Sequence, residues 1–297
     1  MTDWDDLRIF LAVARTESLS AAGKVLKLDP ATVGRRVARL EEAMATRLFA
    51  RSPQGYALTE EGQRLLVHAI RAEQAVAAAS EEVRGAPGQL SGQIRIGAPD
   101  GVANFLLPQV TARICDENPG LEVQIIALPR VFNLSKREAD MAIAVSRPAA
   151  GRLTAQRLTD YRLHLAAARS YLDRHPPIRT LADLKGHRMI GYIPDLIFDK
   201  ELDYLAETGI ELVTLASNSV SVQFNWLRAG AGVAIVHDFS LPAAPDLVRV
   251  LPEALSLSRS FYLIRHADDR RVERLNRFAE LLALGVRREL ARLEASA

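Results

Sequence analysis

Thr32, Arg35, Arg36 and Arg39 recur at intervals of three and four residues, or join that row, and so share one face of a helix. Val33, Val37 and Leu40 take the opposite face and are apolar. An arginine-bearing front on an apolar back suits a major groove. There a guanidinium grips phosphate or pairs twice with guanine O6 and N7. A solvated basic face is the commoner meaning of this pattern on an isolated helix, so the flanks must decide. Asp29 offers a side-chain oxygen to free N–H groups, and Pro30 suits the first helical position. Ahead of it, Leu19, Ala22, Val25 and Leu26 mark another short helix, so the stretch reads as two helices and a tight turn. Thr32, Gly34, Arg35, Arg36 and Arg39 are therefore the candidate DNA-contacting residues. Arg35 or Arg36 is expected at base edges and Arg39 at the backbone.

The surrounding elements must position this pair. Residues 4–16 form an amphipathic helix, with Leu7, Phe10, Leu11 and Ala14 to close the core beneath it. Leu48, Phe49, Tyr56 and Leu58 flank turn residues Pro53, Gln54 and Gly55, which predicts a small hairpin or wing. Arg51 lies near its base, in reach of a phosphate or the minor groove. Residues 59–84 read as one long helix, capped by Thr59 and opened by Glu60 and Glu61. Leu65, Ala69, Ala72, Val76, Ala79 and Val83 form a heptad seam of mostly small residues, which predicts pairing of two chains. The plainer alternative is packing on the chain's own core, and Leu66 and Ile70 beside the seam are expected on the wing domain. Residues 85–88, Gly-Ala-Pro-Gly, break the helix.

Beyond the breaker, strands and helices alternate, which argues for parallel α/β structure in two small lobes rather than one sheet. Strands are expected at 93–98, 122–128, 140–145, 162–168, 188–193, 212–217, 233–236 and 260–266. Helices are expected through 106–114 and at 171–174, 181–185, 198–208, 219–229 and 270–284. Small ligands in such folds sit at strand ends and helix starts. Pro99, Asp100 and Gly101 follow the first strand, Ile193 and Pro194 end a later one, and Ser146 and Arg147 follow a third. Asn218, Ser219 and Ser221 form the best cluster. Each also has a plain reading as a cap or turn. His237 and Asp238 are neighbours on a strand end and should point apart, which opposes a shared catalytic site.

Composition narrows the class. The chain has 297 residues, 48% hydrophobic and 25% charged, as expected of an ordinary globular protein of about two domains. A net charge of +2 argues for no nucleic acid by itself, so any DNA contact rests on local clustering. Cys115 is the sole cysteine, which excludes an intrachain disulfide and reads as a buried structural thiol. The start carries no signal-peptide pattern, and no apolar run suits a membrane span, so a cytoplasmic protein is expected. There is no P-loop and no Gly-rich dinucleotide fingerprint, and His164, His175, His187 and His266 lack metal-ligand spacing. No cofactor, metal or catalytic residue is expected.

The order of helix, helix-turn-helix, wing with LFAR, and LTEEG opening a long helix resembles the LysR-type transcriptional regulators. Later signals IGAPDGVANFLLP, ADMAIA and SNSVSVQFNWLRAGAGVAIV follow in the expected order, so the resemblance covers essentially the whole chain. It implies an N-terminal all-α winged helix-turn-helix domain at 1–58, a linker and dimerisation helix with hinge at 59–88, and a C-terminal α/β effector domain at 89–297. That last domain is expected to be two-lobed, like periplasmic solute-binding proteins. The partners implied are double-stranded DNA, a small-molecule effector in the cleft between lobes, a second or further copies of the chain, and the transcription machinery. The alternatives are a regulator that takes no ligand, or a solute-binding protein or enzyme on the two-lobed fold.

The chain departs from the pattern in places. Gly34 stands where serine is frequent, and Asp29 replaces a commoner capping serine. Related regulators often carry a hydroxyl residue in the loop after the first effector-domain strand, where it helps hold an acidic effector. Here Pro99 has no N–H, and Asp100 brings negative charge to the same place. The expectation is a neutral or cationic effector, or an anion held by Asn218, Ser219, Ser221 and Arg147 instead.

Overall fold

The computed structural model describes residues 3–52, 55–84, 89–127, 139–148, 152–205, 208, 213–267, 269 and 272–297. They fall into two compact units that divide between Ala86 and Pro87.

The N-terminal unit begins with α1 (Trp4–Thr16), α2 (Leu19–Leu26) and α3 (Pro30–Ala43). A short-range acceptor starts each helix. Asp3 accepts from the Asp5 N–H, Ser18 from Ala21 and Asp29 from Ala31. The α2–α3 turn is tight because Gly23 has no side chain. A Cβ there would stand 2.6 Å from the Leu28 carbonyl oxygen. Phe10, Val13, Ala22, Val33, Val37 and Leu40 close the core beneath the pair.

The wing is an antiparallel hairpin of β1 (Phe49–Ser52) and β2 (Gly55–Leu58), with Ser52 opposite Gly55. The predicted turn residues Pro53 and Gln54 lie outside the described residues. Phe49 is held between Phe10 and Tyr56, at centroid distances of 5.2 and 5.9 Å. Glu41, buried at the end of α3, accepts from the Leu48 and Phe49 N–H groups at 2.8 and 3.2 Å and pairs with Arg47 at 3.0 Å. That carboxylate joins the wing to the helix before it.

The long helix α4 (Glu60–Arg84) corrects part of the predicted seam. Ala69 is buried in the core of its own unit, and Leu65 packs there with Leu66 and Ile70. Arg15 of α1 pairs with Glu73. Seam positions Val76 and Ala79 further along are exposed and Ala72 is half-buried; the side chain of Val83 and the breaker at 85–88 lie outside the described residues.

Among the described residues, the C-terminal unit is one mixed sheet of nine strands flanked by helices. Strand β3 (Ser91–Ala98) pairs in parallel with β4 (Gly120–Ala127) and β5 (Met141–Ala144), and α5 (Asp100–Phe105) and α6 (Leu107–Glu117) join the first two. A long strand, β6 (Leu153–Ala168), leads into α7 (Arg169–Leu172). Then come β7 (Met189–Gly191), β8 (Leu215–Ala216), α8 (Val220–Arg228), β9 (Val233–His237), β10 (Leu247–Val250), β11 (Ser256–His266) and α9 (Glu273–Ala295). Strands β7, β8 and β9 form a second parallel set.

Two separate lobe sheets were expected, and the structure differs. Strand β6 pairs antiparallel with β11 along its first part and with β9 and β10 along its last, while β11 also pairs with β5. The two parallel sets are halves of one hydrogen-bonded path, carried through by β6 and β11. Periodicity missed this because it read only 162–168 and 260–266 as strand. The exposed, polar first parts of β6 and β11 lack the apolar run of a buried strand. The helix expected at 198–208 is also corrected: residues 200–202 form a single 3-10 turn and 203–205 are irregular. The helix expected at 270–284 runs on to Ala295. Cys115 is half-buried rather than buried, and desolvation, with the Asp116 charge, pushes its thiol up.

The Glu41 contact is testable. Glu41→Ala leaves two buried N–H groups without an acceptor, and is expected to cost the N-terminal unit about 2–4 kcal/mol in denaturant unfolding. A loss below about 0.5 kcal/mol would show that the carboxylate is not what joins wing to helix.

Candidate nucleic-acid interface and effector cleft

Helix α3 exposes Arg35 and Arg39 and half-buries Thr32, Gly34 and Arg36. Asp29 accepts from the Ala31 N–H at 2.8 Å and from the Thr32 hydroxyl at 3.2 Å. Those bonds, the Ala31 amide first, hold its carboxyl below the usual range. Thr32 in turn accepts from Arg35 at 3.1 Å. Arg35 thus leans on the helix start, through groups of its own helix.

Arg36 and Arg39 differ. Their guanidiniums reach the first turn of α1, where Asp6 is 3% exposed. Arg36 contacts Asp6 and Asp5 at 2.9 Å each, and Arg39 donates to Asp6 at 2.6 and 2.8 Å. Burial alone would raise the Asp6 carboxyl, but the hydrogen bonds from Arg39 and Arg36 outweigh it and hold the group below its ordinary value. Spacing along α3 put all three arginines on one face; contact with α1 separates Arg35 from the other two. Above Gly34 a Cβ would meet Leu19 of α2 at 3.3 Å, so the room it leaves is taken up between helices. The Arg51 side chain lies outside the described residues.

In the C-terminal unit, the candidate ligand residues gather at the ends of strands. Asp100, after β3, does not cap its own helix. Its carboxylate accepts from the Ser219 hydroxyl at 3.0 Å and the Ser221 N–H at 2.8 Å, at the head of α8. The other oxygen accepts from Asn104 at 3.0 Å. The Ser219 hydroxyl and the Ser221 N–H are therefore engaged within the chain, while the Ser221 hydroxyl is buried without a partner. Asn218 sits half-buried ahead of this cap. Pro99 precedes α5, and Gly101 lies against the His237 ring, where a Cβ would stand 3.0 Å from Cε1. Ser146 donates to Asp199, and exposed Arg147 stacks over Tyr262 at 5.4 Å, so neither joins the group at the head of α8.

Pro194 helps line a cavity of about 530 Å³ that sequence reasoning missed. Ile193 is half-buried beside it. Tyr192, Tyr204, Leu202, Val213, Gln223 and Ile235 form much of the wall. These residues lie on several elements and share no local spacing. Tyr204 bonds to His237 Nε2 at 3.4 Å. Burial raises the hydroxyls of Tyr204 and Tyr192 well above their ordinary range, and the Asp100 charge adds to the shift at Tyr192. His237 is 5% exposed, stacks near Tyr161 and Phe239, and its Nδ1 has no hydrogen-bond partner. Asp238, which opens the 3-10 helix after β9, points the other way, to His164 at 2.8 Å and Arg249 at 3.0 Å.

A capped, arginine-bearing helix in a winged unit, joined to an α/β unit with a ligand-sized cavity, defines a DNA-binding transcriptional regulator with an effector-binding domain. Residues 4–63 match the lysR family of bacterial regulatory helix-turn-helix proteins, and residues 87–285 match the LysR substrate binding domain. The chain belongs to the LysR family of transcriptional regulators. It is 29% identical over 262 residues to the transcriptional activator TtdR of Escherichia coli (strain K12), covering 84% of this chain and 82% of that one. It is 28% identical over 254 residues to the regulator PtxR of Pseudomonas aeruginosa, covering 83% and 81%. Among solved structures, a full-length OxyR variant from Pseudomonas aeruginosa superposes with a TM-score of 0.66 at 17% identity, over 97% of this chain and 98% of that one. CrgA from Neisseria meningitidis, a LysR-type regulator, gives 0.55 at 23% identity, over 99% of both. These superpositions show the shared fold. The family is one of regulators, not enzymes. Among the described residues, no helix is long and apolar enough to cross a membrane.

Desolvation pushes the His237 pKa down from 6.5 to about 4, against a smaller upward pull from Asp100. A lowered histidine pKa means that the unfolded chain takes the proton first. Stability owed to the neutral ring is thus whole above about pH 6.5 and falls away toward pH 4. The expected loss is roughly 3 kcal/mol across that window. Denaturant unfolding of wild type and His237→Asn at pH 7 and about pH 4.5 checks it. Equal pH dependence in the two proteins would contradict this assignment.

Proposed function

We propose that this regulator binds its operator as a symmetric homo-oligomer and responds to a small molecule held in the C-terminal cavity. The observation that carries the DNA half is the division of labour on α3. Arg35 is exposed and supported by Thr32 and Asp29, whereas Arg36 and Arg39 are anchored to Asp6. Arg35 is the base-reading residue on this view. Arg36 and Arg39 meet the backbone, where phosphates compete with the carboxylates of α1, and Arg51 at the wing does the same. Pairing through the outer part of α4, at half-buried Ala72 and exposed Val76 and Ala79, gives a two-fold dimer, and a tetramer is a dimer of these. Two recognition helices related by that axis read an inverted repeat, spaced by multiples of about 34–36 Å. With chromosomal DNA as partner, the protein works in the cytoplasm.

The effector half rests on the cavity, whose volume lies within the range of small-molecule sites. Its ligand raises the melting temperature of the full-length protein and shifts operator occupancy.

Two measurements test the DNA half. In binding-site selection, Arg35→Ala is expected to cost about 1–3 kcal/mol and relax preference at one base pair per half-site. Arg39→Ala weakens all sequences alike. An unchanged site preference for Arg35→Ala would refute the base-reading role. In light scattering, Ala72→Glu with Ala79→Glu is expected to lower the molecular mass and the operator affinity together. Wild-type mass and affinity in that variant would remove α4 as the pairing element.

A further inference from the structure

The head of α8 is an anion position that the chain fills for itself. A helix start offers free N–H groups and the positive end of the dipole, which favours a carboxylate. At α8, Ser219 caps in the ordinary way by accepting from the Val222 N–H at 3.3 Å. A further acceptor, Asp100, arrives from 119 residues away and takes both the Ser219 hydroxyl and the Ser221 N–H. Nothing in local sequence requires it, since Asp100 stands in the first turn of α5 and Ser219 alone caps α8.

Neighbours of this contact line the cavity. Gln223 of α8 lines it, Tyr192 lines it and feels the Asp100 charge, and Tyr204 lines it and meets His237. His237 then touches Gly101, the neighbour of Asp100. Its unpartnered Nδ1 is buried on that side, within 3.3 Å of where a Gly101 Cβ would stand. The head of α8, the tyrosines and the histidine therefore surround one region.

We propose that Asp100 is a built-in carboxylate ligand, which occupies the place of an acid at the head of α8 and restricts the adjacent cavity to uncharged effectors. This rests on the reading of the cavity as the effector site. The charge logic is direct. An acid entering here finds the Ser219 hydroxyl and the Ser221 N–H engaged, with only the Ser221 hydroxyl unpaired, and meets the charge of Asp100. The tyrosines stay protonated, and the basic and acidic lining residues, Lys200 and Asp203, are both exposed. A cation gains little, because the α8 donors and Asn104 already satisfy the carboxylate. What remains is a wall of mixed polarity, in which aliphatic and aromatic side chains alternate with hydroxyl and amide groups. It suits a molecule carrying a hydroxyl, carbonyl or amide on a hydrocarbon or aromatic frame.

The test uses full-length protein and matched acid–amide pairs, benzoate with benzamide and hexanoate with hexanamide, by calorimetric titration. Wild type is expected to favour the amide by about tenfold or more. Asp100→Ser, which vacates the anion position, is expected to gain acid binding and reverse the preference. Asp100→Asn keeps the shape of the cap without its charge, and is expected to lose the discrimination even if the serine variant does not fold. Acid binding that appears in the variants alone, with no amide bound by wild type, also supports the role of Asp100. Wild type taking the acid as well as the amide would overturn the proposal. So would variants that bind the amides with the wild-type ratio, and in that case the effector site itself stands. If neither protein binds any member of either pair, the effector reading falls and takes this inference with it.

Discussion

The first turn of a helix leaves N–H groups that need an acceptor, and both working regions of this protein are arranged around how that need is met. On the recognition helix, Asp29 supplies the acceptor from the preceding residue, and Thr32 and Arg35 line up behind it. The start of α1 is met by Asp3 and reinforced by Asp5 and Asp6 in its first turn. Carboxylates are favoured there by the helix dipole. Once in place, they anchor Arg36 and Arg39 from α3. One helix start therefore decides which arginines of another are held. At α8 the same need is met twice, by Ser219 locally and by Asp100 from a distant strand end.

The sheet explains why distant groups meet in the C-terminal unit. Strands β6 and β11 run through both halves, so each parallel set is tied to the same pair. Ligand positions in α/β sheets lie beyond the carboxyl ends of the strands. Asp100 follows β3, Ser219 follows β8 and His237 ends β9. These are such ends, drawn from both parallel sets. Asp238 next to His237 serves the opposite face and binds His164 and Arg249, so neighbouring residues act in different places.

The N-terminal unit was legible to a large degree because its signals are local. Caps, the turn glycine and helical periodicity all act within a few residues, and helices 4–16, 19–26 and 30–43 follow from them. The same periodicity read all of α4 as one seam. It cannot tell a helix face that packs on its own unit from one that is exposed. Leu65 and Ala69 are spent on the unit's own core, and only further along is the face open. In the C-terminal unit, the buried β9 was clear from its apolar run. The polar beginnings of β6 and β11 were not, since pairing in the middle of a sheet leaves no alternation when the faces are unequally covered.

Sequence alone determined the order of most elements and the capped helix with its arginines, because each is written in short-range spacing, and its resemblance to the LysR-type regulators pointed to the class. It also marked Asp100 as out of place for an acid-binding loop. Tertiary structure decided what those residues do. It set Arg36 and Arg39 against Asp6, built the cavity from Tyr192, Tyr204 and Gln223, and carried Asp100 to the head of α8. The physical reason is range. Caps and helix faces depend on neighbours a few residues away, whereas a carboxylate finds its donors wherever the fold brings them, here 119 residues further along the chain.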